Sequence, residues 1–541
     1  MAPATSTPWK SAVFVCALVT LVADPILAQE TDVTQTPNAA NAGIKKSLED
    51  EIGEGRGDNS IPGSSLYLIQ RDPFRSIARG RNLFQRKFTV SQGFGPRTGD
   101  GVGDIETELS IGAGLVDSCA GCHGRPRGSA GFGGNVFTRP DSRDAPHLFG
   151  LGLVEMLGDE ITTDLRNIRS LAIQRAQEQG APKTLRLKSK GISFGKIIGH
   201  PDGTVDTSEV EGVNPDLRVR PFFHHGGTIS IREFVVGALN AEMGLEAFDP
   251  DLANAAAGQR VVTPSGMVLD GSLDAIEAPP VFSESDDADL DGVANEIPVS
   301  LVDHLEFYLL NYFKPGTYQP ASSRRTRSDR LEPSSIRKGQ RLLENIKCTS
   351  CHIPNLTIEK DRRVADVKTV YDRRGVFNQL FATAIPLFTE NQDGLGLPSL
   401  KSPGGQPFVV ENFYSDLKRH DLGPNFYERQ FDGSVTKEFV TEPLWGVGST
   451  PTYGHDGRSI NLREVILRHG GEAKKSRDRF ARLNSGQQGA VLEFLESLVL
   501  FGPPDTASNL DPGNPDDPGF PQSGHGSIKL SVLFNDPTDP E

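Results

Sequence analysis

Two short stretches decide how this chain is built: Cys119-Ala120-Gly121-Cys122-His123 and, further along, Cys348-Thr349-Ser350-Cys351-His352. Both have the C-x-x-C-H spacing, in which two thiols three residues apart can add to the two vinyl groups of one porphyrin. The adjacent imidazole then lies beneath the iron and becomes its proximal ligand. The pattern therefore predicts two covalently attached haem c groups, each held by two cysteines, with His123 and His352 as the iron ligands.

A redox-active cysteine pair or half of a zinc site is the alternative explanation of each stretch. A zinc site needs further Cys or His at ligand spacing, and none lies near either stretch. With 5 Cys and 11 His in 541 residues, chance would produce one such pattern on the order of 10⁻³ times. Two copies therefore favour haem.

The start of the chain has the pattern of a secretory signal over residues 1–28. A positive charge precedes the apolar run 11–23, and Ala28 is a small residue before the expected cleavage site. A retained membrane anchor is the alternative, but the run is too short to span a bilayer. Cys16 would leave with the signal, and the other four cysteines belong to the two motifs. We expect a periplasmic or otherwise exported protein with no disulfide and no membrane span after cleavage.

The formal net charge of the chain is -15 at pH 7. Such an acidic exported protein is a poor candidate for binding nucleic acid or an anionic membrane. The acidity would either steer a basic redox partner or simply keep the protein soluble, and the sequence leaves both open. A mature length of about 510 residues predicts two or three domains.

Hydrophobic periodicity predicts a mainly α fold with some short β-strands. The order of helix, haem motif, long loop and terminal helix resembles that of a cytochrome c domain, so we expect two cytochrome c-type haem domains, the first with a large insertion containing short β-strands. Helices are expected from Pro73 and at 159–179, 231–241 and 299–313, then after a cap at Ser334 or Ser335 and at 459–469 and 486–500, with strands and turns over 184–223. The predicted division is a signal peptide at 1–28, a disordered tether at 29–72, a first haem c domain at 73–314, a linker at 315–333, a second cytochrome c domain at 334–501 and a disordered tail at 502–541.

From about Phe74 to Phe501 the chain resembles the bacterial di-haem cytochrome c peroxidase superfamily, and most closely its di-haem oxidoreductase branch, formerly labelled thiol oxidoreductases. Besides the haem motifs, the matching segments are Arg79-Gly80-Arg81-Asn82-Leu83-Phe84, Arg218-Val219-Arg220-Pro221-Phe222, Glu242-Met243-Gly244, Thr441-Glu442-Pro443-Leu444-Trp445-Gly446, His455-Asp456-Gly457-Arg458 and His469-Gly470-Gly471-Glu472-Ala473. In such peroxidases the first haem cleaves hydrogen peroxide, and the second receives electrons from a small donor protein. The resemblance implies a peroxidase-like oxidoreductase whose partner is a c-type cytochrome or a cupredoxin.

The resemblance also implies that Glu242 is the catalytic carboxylate near the first haem. Cleavage of an O–O bond needs a group that takes a proton from one oxygen and returns it to the other. A helix-end glutamate exposed to water is the alternative. The chain departs from its relatives at Phe234, where they carry a glutamine, and at Trp445, the only Trp after the signal, because their bridging tryptophan lies in the first domain.

The distal iron ligands stay open in the sequence. Peroxidase relatives have Tyr-Met-His where this chain has Tyr453-Gly454-His455, so the methionine that ligates their electron-transfer haem is missing. Loss of a thioether ligand lowers the reduction potential. Either Tyr453 or His455 would replace it, unless both have structural roles. The candidates for the first haem are His147, Met156, His224 and His225.

An acidic segment has oxygen ligands at alternate positions followed by a turn glycine, as in calcium loops, at Asp287, Asp289 and Asp291. Pro298 stands where an EF-hand has its twelfth-position glutamate, although Glu296 or Asn295 could serve instead. A solvated acidic turn is the alternative to a calcium site.

Two further functions compete with peroxide reduction. One is oxidation of a protein or organic substrate by the two haems together, and the other is non-enzymatic electron transfer with both irons six-coordinate. An open iron position separates the enzymes from the carrier, and the missing methionine favours an enzyme. The natural substrate, the electron donor and the formation of a homodimer are not decided by the sequence.

Overall fold

The computed structural model describes residues 52–86, 88, 118–124, 129–131, 135–137, 142–243, 245–276, 278–279, 281, 283–287, 294–312, 314–318, 331–367, 385–430 and 433–500. The predicted signal peptide, the tether up to residue 51, the tail at 502–541 and the linker between 319 and 330 lie outside these residues. Within them helix is more abundant than strand, and the strands are short, so a mainly α fold is a rough description of the chain.

The α-helices of the described residues are α1 (Ser65–Arg71), α2 (Pro73–Gln85), α3 (Cys119–His123), α4 (Leu151–Gln179), α5 (Ile231–Ala241), α6 (Pro250–Ala256), α7 (Val299–Asn311), α8 (Pro333–Asn345), α9 (Leu462–Arg468), α10 (Lys474–Ala481) and α11 (Ser485–Glu496). Among them α5 has the predicted bounds, because Ser230 caps its first turn by accepting the N–H of Glu233.

Short antiparallel strands connect these helices. The pairs are β1 (Asn135–Phe137) with β2 (Ser142–Asp144), β6 (Arg260–Val262) with β7 (Val268–Asp270), β8 (Leu356–Ile358) with β13 (Phe408–Val410), β9 (Ala365–Asp366) with β10 (Ile385–Pro386), β11 (Phe388–Asn391) with β12 (Leu400–Pro403), β14 (Arg419–Asp421) with β17 (Glu438–Val440), and β15 (Glu428–Arg429) with β16 (Val435–Thr436). A three-stranded sheet is formed by β3 (Lys183–Ser189), β4 (Ile192–Gly199) and β5 (Val205–Asp206) in that order. This sheet confirms the predicted strands inside the insertion.

The large hydrophobic core surrounds α7, which is buried from Ser300 to Asn311. Two other helices approach its backbone closely through glycines. A Cβ on Gly80 of α2 would lie 2.1 Å from the carbonyl oxygen of His304, and one on Gly152 of α4 would lie 2.0 Å from that of Leu310. Only glycine permits such contacts, so these two positions determine how α2 and α4 cross α7.

Helix α4 begins at Leu151, well before the predicted start at Asp159. All eight residues from Leu151 to Gly158 are buried, so this part of the helix has no polar face. A helix that is apolar all round shows no amphipathic period, and for that reason the sequence pattern did not reveal it.

Ordered structure also begins before residue 73. Helix α1 lies within the segment predicted to be a tether, and its Leu68 and Ile69 are buried in the described structure. The Ser65 hydroxyl donates to Asp303 of α7 at 2.6 Å. The tether therefore does not extend to residue 72.

A buried ionic cluster joins α5 to α6 and α7. The side chain of Arg232 is fully buried and contacts Asp249 at 2.6 Å, Asp303 at 3.0 Å and Glu306 at 2.8 Å. Burial raises the pKa values of Asp303 and Glu306, while the charge of Arg232 opposes that rise. The guanidinium of Arg232 thus compensates most of this buried negative charge, with Arg56 3.5 Å from Asp303 as a second cation, and it holds the first turn of α5 in place.

A second, smaller core lies between α8, α9, α10 and α11. Helices α8 and α11 meet at Gly339, where a Cβ would lie 1.9 Å from the carbonyl oxygen of Ala490. Helix α11 begins with a capping box in which Asn484 and Gln487 each bond the other's backbone N–H. The helix predicted at 459–469 is confined to α9, with Asn461 as its cap.

The chain after the second haem motif packs against the large core as well as the small one. Leu356, Val364 and Val410 belong to the core around α7. The Asn311 side-chain oxygen at the end of α7 accepts the N–H groups of Val364 at 2.9 Å and Ala365 at 3.0 Å. The large core therefore takes in residues from both sides of the predicted linker.

No helix within the described part of the chain combines the length and the apolar character needed to cross a bilayer.

Candidate functional site

The first haem motif forms the one-turn helix α3. Ser118 caps it by accepting the N–H of Gly121 at 3.1 Å, which places Cys119 and Cys122 about one turn apart. The His123 Nδ1–H donates to the carbonyl oxygen of Pro146 at 2.8 Å. Burial lowers the pKa of His123 to about 4, so the imidazole is neutral. The ring also forms a hydrogen bond with the backbone of Gly131. Because Pro146 holds Nδ1, Nε2 is the nitrogen that would bind iron.

The second haem motif repeats this arrangement with a different local fold. Cys348–Ser350 form a turn of 3-10 helix after Lys347, and the His352 Nδ1–H donates to the carbonyl oxygen of Tyr414 at 2.9 Å. Burial is again the main cause that lowers the pKa of His352. Both motif histidines are therefore neutral imidazoles oriented by a distant carbonyl, with Nε2 left for iron.

The four motif cysteines are free thiols, as covalent haem attachment requires. Burial raises the pKa values of Cys119, Cys122 and Cys348 to about 12, so these thiols stay protonated. A structural zinc site needs four ligands, and among the described residues no group of side chains close enough to share a metal ion contains two motif cysteines. The residues of both motifs fit haem c and do not favour zinc.

Glu242 lies at the first haem motif, as the resemblance implies. It ends α5 as the C-cap residue, with its N–H donating to the carbonyl of Ala238 at 3.0 Å. After burial, the charge of Glu242 is the next cause that raises the pKa of Cys122. The carboxylate therefore lies within electrostatic reach of Cys122 of the first haem motif.

Aromatic side chains line the same helix two turns before Glu242. The Phe234 ring contacts Phe223 with centroids 5.2 Å apart and Phe222 at 6.2 Å. Phe223 is 38% exposed and also packs against His225 with parallel rings at 6.2 Å. Where relatives carry a polar glutamine, this chain thus has part of an apolar wall.

The candidates for the distal ligand of the first haem have other partners. His147 uses both ring nitrogens, donating from Nε2 to the carbonyl of Trp445 at 3.0 Å and accepting the N–H of Phe149 at 3.2 Å. The sulfur of Met156 accepts the N–H of Arg362 at 3.1 Å. His224 lies 2.8 Å from a Glu442 oxygen.

The structure brings His469 to the second motif, and the sequence analysis did not single it out as a ligand. His469 follows α9 and donates from Nδ1 to the carbonyl of Val465 at 2.7 Å, which leaves Nε2 available. Burial is the main cause that lowers its pKa to about 4, and the proximity of His352 contributes to this shift. The useful sequence signal was its place in the matching segment 469–473.

Tyr453 and His455, the predicted distal candidates, contact other groups. The Tyr453 hydroxyl donates to the carbonyl of Val447 at 3.1 Å. His455 lies with Nε2 3.3 Å from a Glu428 oxygen and stacks on Phe439 at 4.0 Å between ring centroids. Of the three residues, His469 has the arrangement that most closely matches a ligating imidazole.

Trp445 contacts residues near both haem motifs. Trp445 is buried, and its ring lies against Gly150, whose Cβ would be 2.7 Å from the indole. The same ring meets Phe413 edge-on with centroids 4.9 Å apart. Its carbonyl accepts the bond from His147, which directly follows Pro146, and Phe413 directly precedes Tyr414. His147 is thus adjacent in sequence to the residue that orients His123, and Phe413 is adjacent to the residue that orients His352.

Among the described residues, one group of side chains is close enough to share a metal ion: Cys351, Asp416 and His420, with ligand atoms within 4.8 Å of one another. His420 lies 3.0 Å from Asp416 through Nε2 and 2.8 Å from Glu472 through Nδ1. Burial lowers the pKa of His420, but the bonds to Asp416 and Cys351 outweigh it and raise the pKa to about 11. A histidine that donates from both nitrogens cannot ligate a metal, so this group is a charged pair beside the second motif.

The predicted calcium loop is described only in part, since Asp289 and Asp291 lie outside the described residues. Asp287 is half-buried at the edge of that gap. Beyond it, the Asn295 side-chain oxygen accepts the N–H of Phe248 at 2.8 Å, and the buried Glu296 carboxylate accepts the N–H of Glu246.

Comparison with known proteins supports the chemistry of the site. Residues 356–498 match a family model described as "Di-haem oxidoreductase, putative peroxidase". The matched region begins just after the second haem motif and contains Trp445, His455 and His469. None of the curated proteins compared with the chain matches it. The match indicates a haem-dependent redox function.

Among solved structures, a hydrazine synthase of Kuenenia stuttgartiensis pressurised with 20 bar xenon is similar over 40% of this chain, at 16% identity and a TM-score of 0.22. The similar region spans 60% of that protein's chain.

Proposed function

We propose that this chain is an exported di-haem c-type oxidoreductase that reduces hydrogen peroxide with electrons from a small redox protein. The observation that carries the proposal is that Glu242, at the end of α5, lies within electrostatic reach of Cys122 of the first motif. A carboxylate next to an attached haem can move the protons that O–O cleavage requires. The match to a di-haem oxidoreductase family model over 356–498 supports the same class of reaction.

When bound, each haem supplies an iron that exchanges electrons, and an iron with a free coordination position can also cleave peroxide. Reduction of one peroxide to two waters consumes two electrons and two protons. In this proposal Glu242 takes a proton from one peroxide oxygen and returns it to the departing oxygen. The bond from His123 to Pro146 fixes the proximal imidazole and increases its basicity.

The second motif is the proposed entry point for electrons. His352 and His469 are the residues that would hold the second haem iron, because both are neutral, lie within electrostatic reach of each other and have Nδ1 held by a backbone carbonyl. A pair of strong ligands suits a centre that transfers electrons without binding substrate. The contacts of Trp445 with both motif surroundings support transfer from this centre to the first.

Calcium bound at the loop of Asp287, Asp289 and Asp291 is a further part of the proposal. Its support is the buried Glu296, which lies just after the loop and is held by the Glu246 backbone. Titration of the chelator-treated protein with calcium, followed by calorimetry, tests it. A heat signal retained in Asp287→Asn would argue against this loop.

The test of the main proposal compares the wild-type holoprotein with Glu242→Gln. The partly reduced protein is mixed with stoichiometric hydrogen peroxide, and haem oxidation is followed by stopped-flow absorption. Loss of a general acid and base should slow oxidation by roughly 10²–10⁴-fold. Glu178→Gln, which changes an exposed carboxylate near the end of α4, is the matched control and should react like the wild type.

Haem content, measured by mass, must be equal in all three proteins. An unchanged rate in Glu242→Gln would show that this carboxylate is not the proton carrier. A wild-type spectrum that does not respond to peroxide would contradict the proposed reaction and favour an electron carrier.

A further inference from the structure

The segments beside the second haem motif carry a charge opposite to that of the chain as a whole. Residues 337–347 and 474–482 contain nine Lys and Arg and two acidic residues, a net charge of +7 in a chain of net charge -15. The first segment is the exposed side and end of α8, and the second is α10 with the residue that follows it.

The fold places the two segments against each other at the start of the motif. The Ser476 hydroxyl of α10 donates to the carbonyl of Lys347 at 3.1 Å, and Arg479 donates to that of Ile346 at 3.4 Å. Lys347 directly precedes Cys348. Helix α10 therefore lies directly beside the attachment site of the second haem.

Two cations of α10 and the C-cap residue that follows it form one stripe along the helix. Lys475, Arg479 and Arg482 are four and three residues apart, which is the spacing of one helix face. All three are exposed, as is Lys347, and none forms an ion pair with a carboxylate of the described chain. We call these four residues the basic face.

The second motif itself reaches the surface next to the basic face. Ser350, within the motif, is exposed, and its hydroxyl donates to the carbonyl of Lys347 at 2.8 Å. A protein docked on the basic face would therefore lie close to the thioether edge of the second haem. Electron transfer between proteins depends on such a short approach.

We propose that the basic face is the docking surface for an acidic one-electron redox protein that reduces the second haem. The inference rests on the proposed function, and it narrows the electron donor to a class that the net charge of the chain does not suggest. One electron passes from the reduced donor to the ferric iron of the second haem, and no bond forms or breaks. Local charge of this kind increases association rates by about 10–10³-fold at low ionic strength.

The test measures how fast two donors of opposite charge reduce the holoprotein. An acidic plastocyanin and a basic mitochondrial cytochrome c are each mixed with it in a stopped-flow instrument at low and at physiological ionic strength. Binding of each oxidised donor is measured separately by calorimetry. The acidic donor should react faster, bind more tightly, and lose both advantages as salt is added.

The variant Lys475→Glu/Arg479→Glu/Arg482→Glu should slow the acidic donor at least 10-fold at low salt. The matched control, Arg186→Glu/Lys188→Glu/Arg260→Glu, changes the net charge equally at three exposed cations of β3 and β6, and should stay within twofold of the wild type. Equal slowing in both variants would overturn the proposal, since it would reflect net charge alone.

Other occupants of the face give different results. If both donors reduce the triple variant at 475, 479 and 482 faster than the wild type, the acidic segment 502–541 of the chain itself covers the basic face, and the proposal is overturned. If the wild type forms a concentration-dependent dimer that this variant loses, a second copy of the chain occupies the basic face, and the proposal is likewise overturned. Peroxide consumption with hydroquinone, a small neutral reductant, tests the proposed function separately: if it fails while salt-dependent docking persists, only the proposed reaction is wrong.

Discussion

Replacement of Arg232 by Leu should destabilise the protein strongly, because this side chain compensates three buried carboxylates, one at the start of α6 and two on α7. Arg232 is fully buried, with Asp249, Asp303 and Glu306 at 2.6–3.0 Å. Removing one partner of a buried ion pair costs about 3–5 kcal/mol, since the remaining charge is left without compensation. We expect the free energy of unfolding of Arg232→Leu to fall by that amount at pH 7.

The pH dependence of the loss follows from the direction of the pKa shifts. Burial already raises the pKa values of Asp303 and Glu306, and loss of Arg232 raises them further. A carboxyl group with a raised pKa contributes stability below its unfolded pKa, and loses it as the pH rises through its folded pKa. The difference in the free energy of unfolding between the wild type and Arg232→Leu should therefore decrease between pH 7 and pH 5. The decrease is about 1.4 kcal/mol per pH unit for each carboxylate that becomes protonated.

The measurement is urea unfolding of the holoproteins at both pH values, followed by circular dichroism. Arg232→Lys, which keeps the charge, should lose less than Arg232→Leu. Arg175→Leu, on the exposed side of α4, should stay within about 0.5 kcal/mol of the wild type. A deficit in Arg232→Leu that is small, or that grows as the pH falls, would refute the reasoning about buried charge.

Three other substitutions test the site and its support. Trp445→Phe should keep both haems attached and accept electrons at the normal rate, but slow the reduction of the first haem; simultaneous reduction of both haems in stopped-flow records would remove Trp445 from the route. His469→Met should raise the reduction potential of one haem, because a thioether favours ferrous iron, as potentiometric titration would show; an unchanged potential would count against His469 as a ligand. Gly339→Ala should lower the free energy of unfolding by roughly 1–3 kcal/mol, because its Cβ would overlap the Ala490 carbonyl. Gly489→Ala has open space around its Cβ and should stabilise α11 by about 0.5–1 kcal/mol. Equal thermal midpoints for these two glycine variants would contradict the packing described for α8.

The parts of the fold that the sequence predicted well depend on local chemistry. Helix α5 has a serine cap and one apolar face, and both signals lie within its own residues. Helix α4 was predicted too short, because its first eight residues are buried on every side and show no period. The same burial makes α4 part of the core around α7.

The candidate site also has some residues that local sequence indicates and others that only the fold brings together. The haem attachment sites stay a prediction from the spacing of two cysteines and a histidine within five residues. The carbonyls that orient His123 and His352 belong to Pro146 and Tyr414, and any residue could supply a carbonyl. His469 could not be paired with His352 before the fold was known. The basic face was hidden in the total charge, which sums over all surfaces and so conceals a local excess.

The position of Trp445 would make electron transfer between the two haems depend on side-chain packing. Its ring lies between Gly150 on the side of the first motif and Phe413 on the side of the second. If electrons pass between the two haems as proposed, a fluctuation that separated these surfaces would also interrupt the contacts of Trp445 on that route. Mild warming or low denaturant, which loosens such contacts before global unfolding, should therefore make the protein behave as two independent one-electron centres. The packing of Trp445 between Gly150 and Phe413 would then determine how fast electrons pass from one haem to the other.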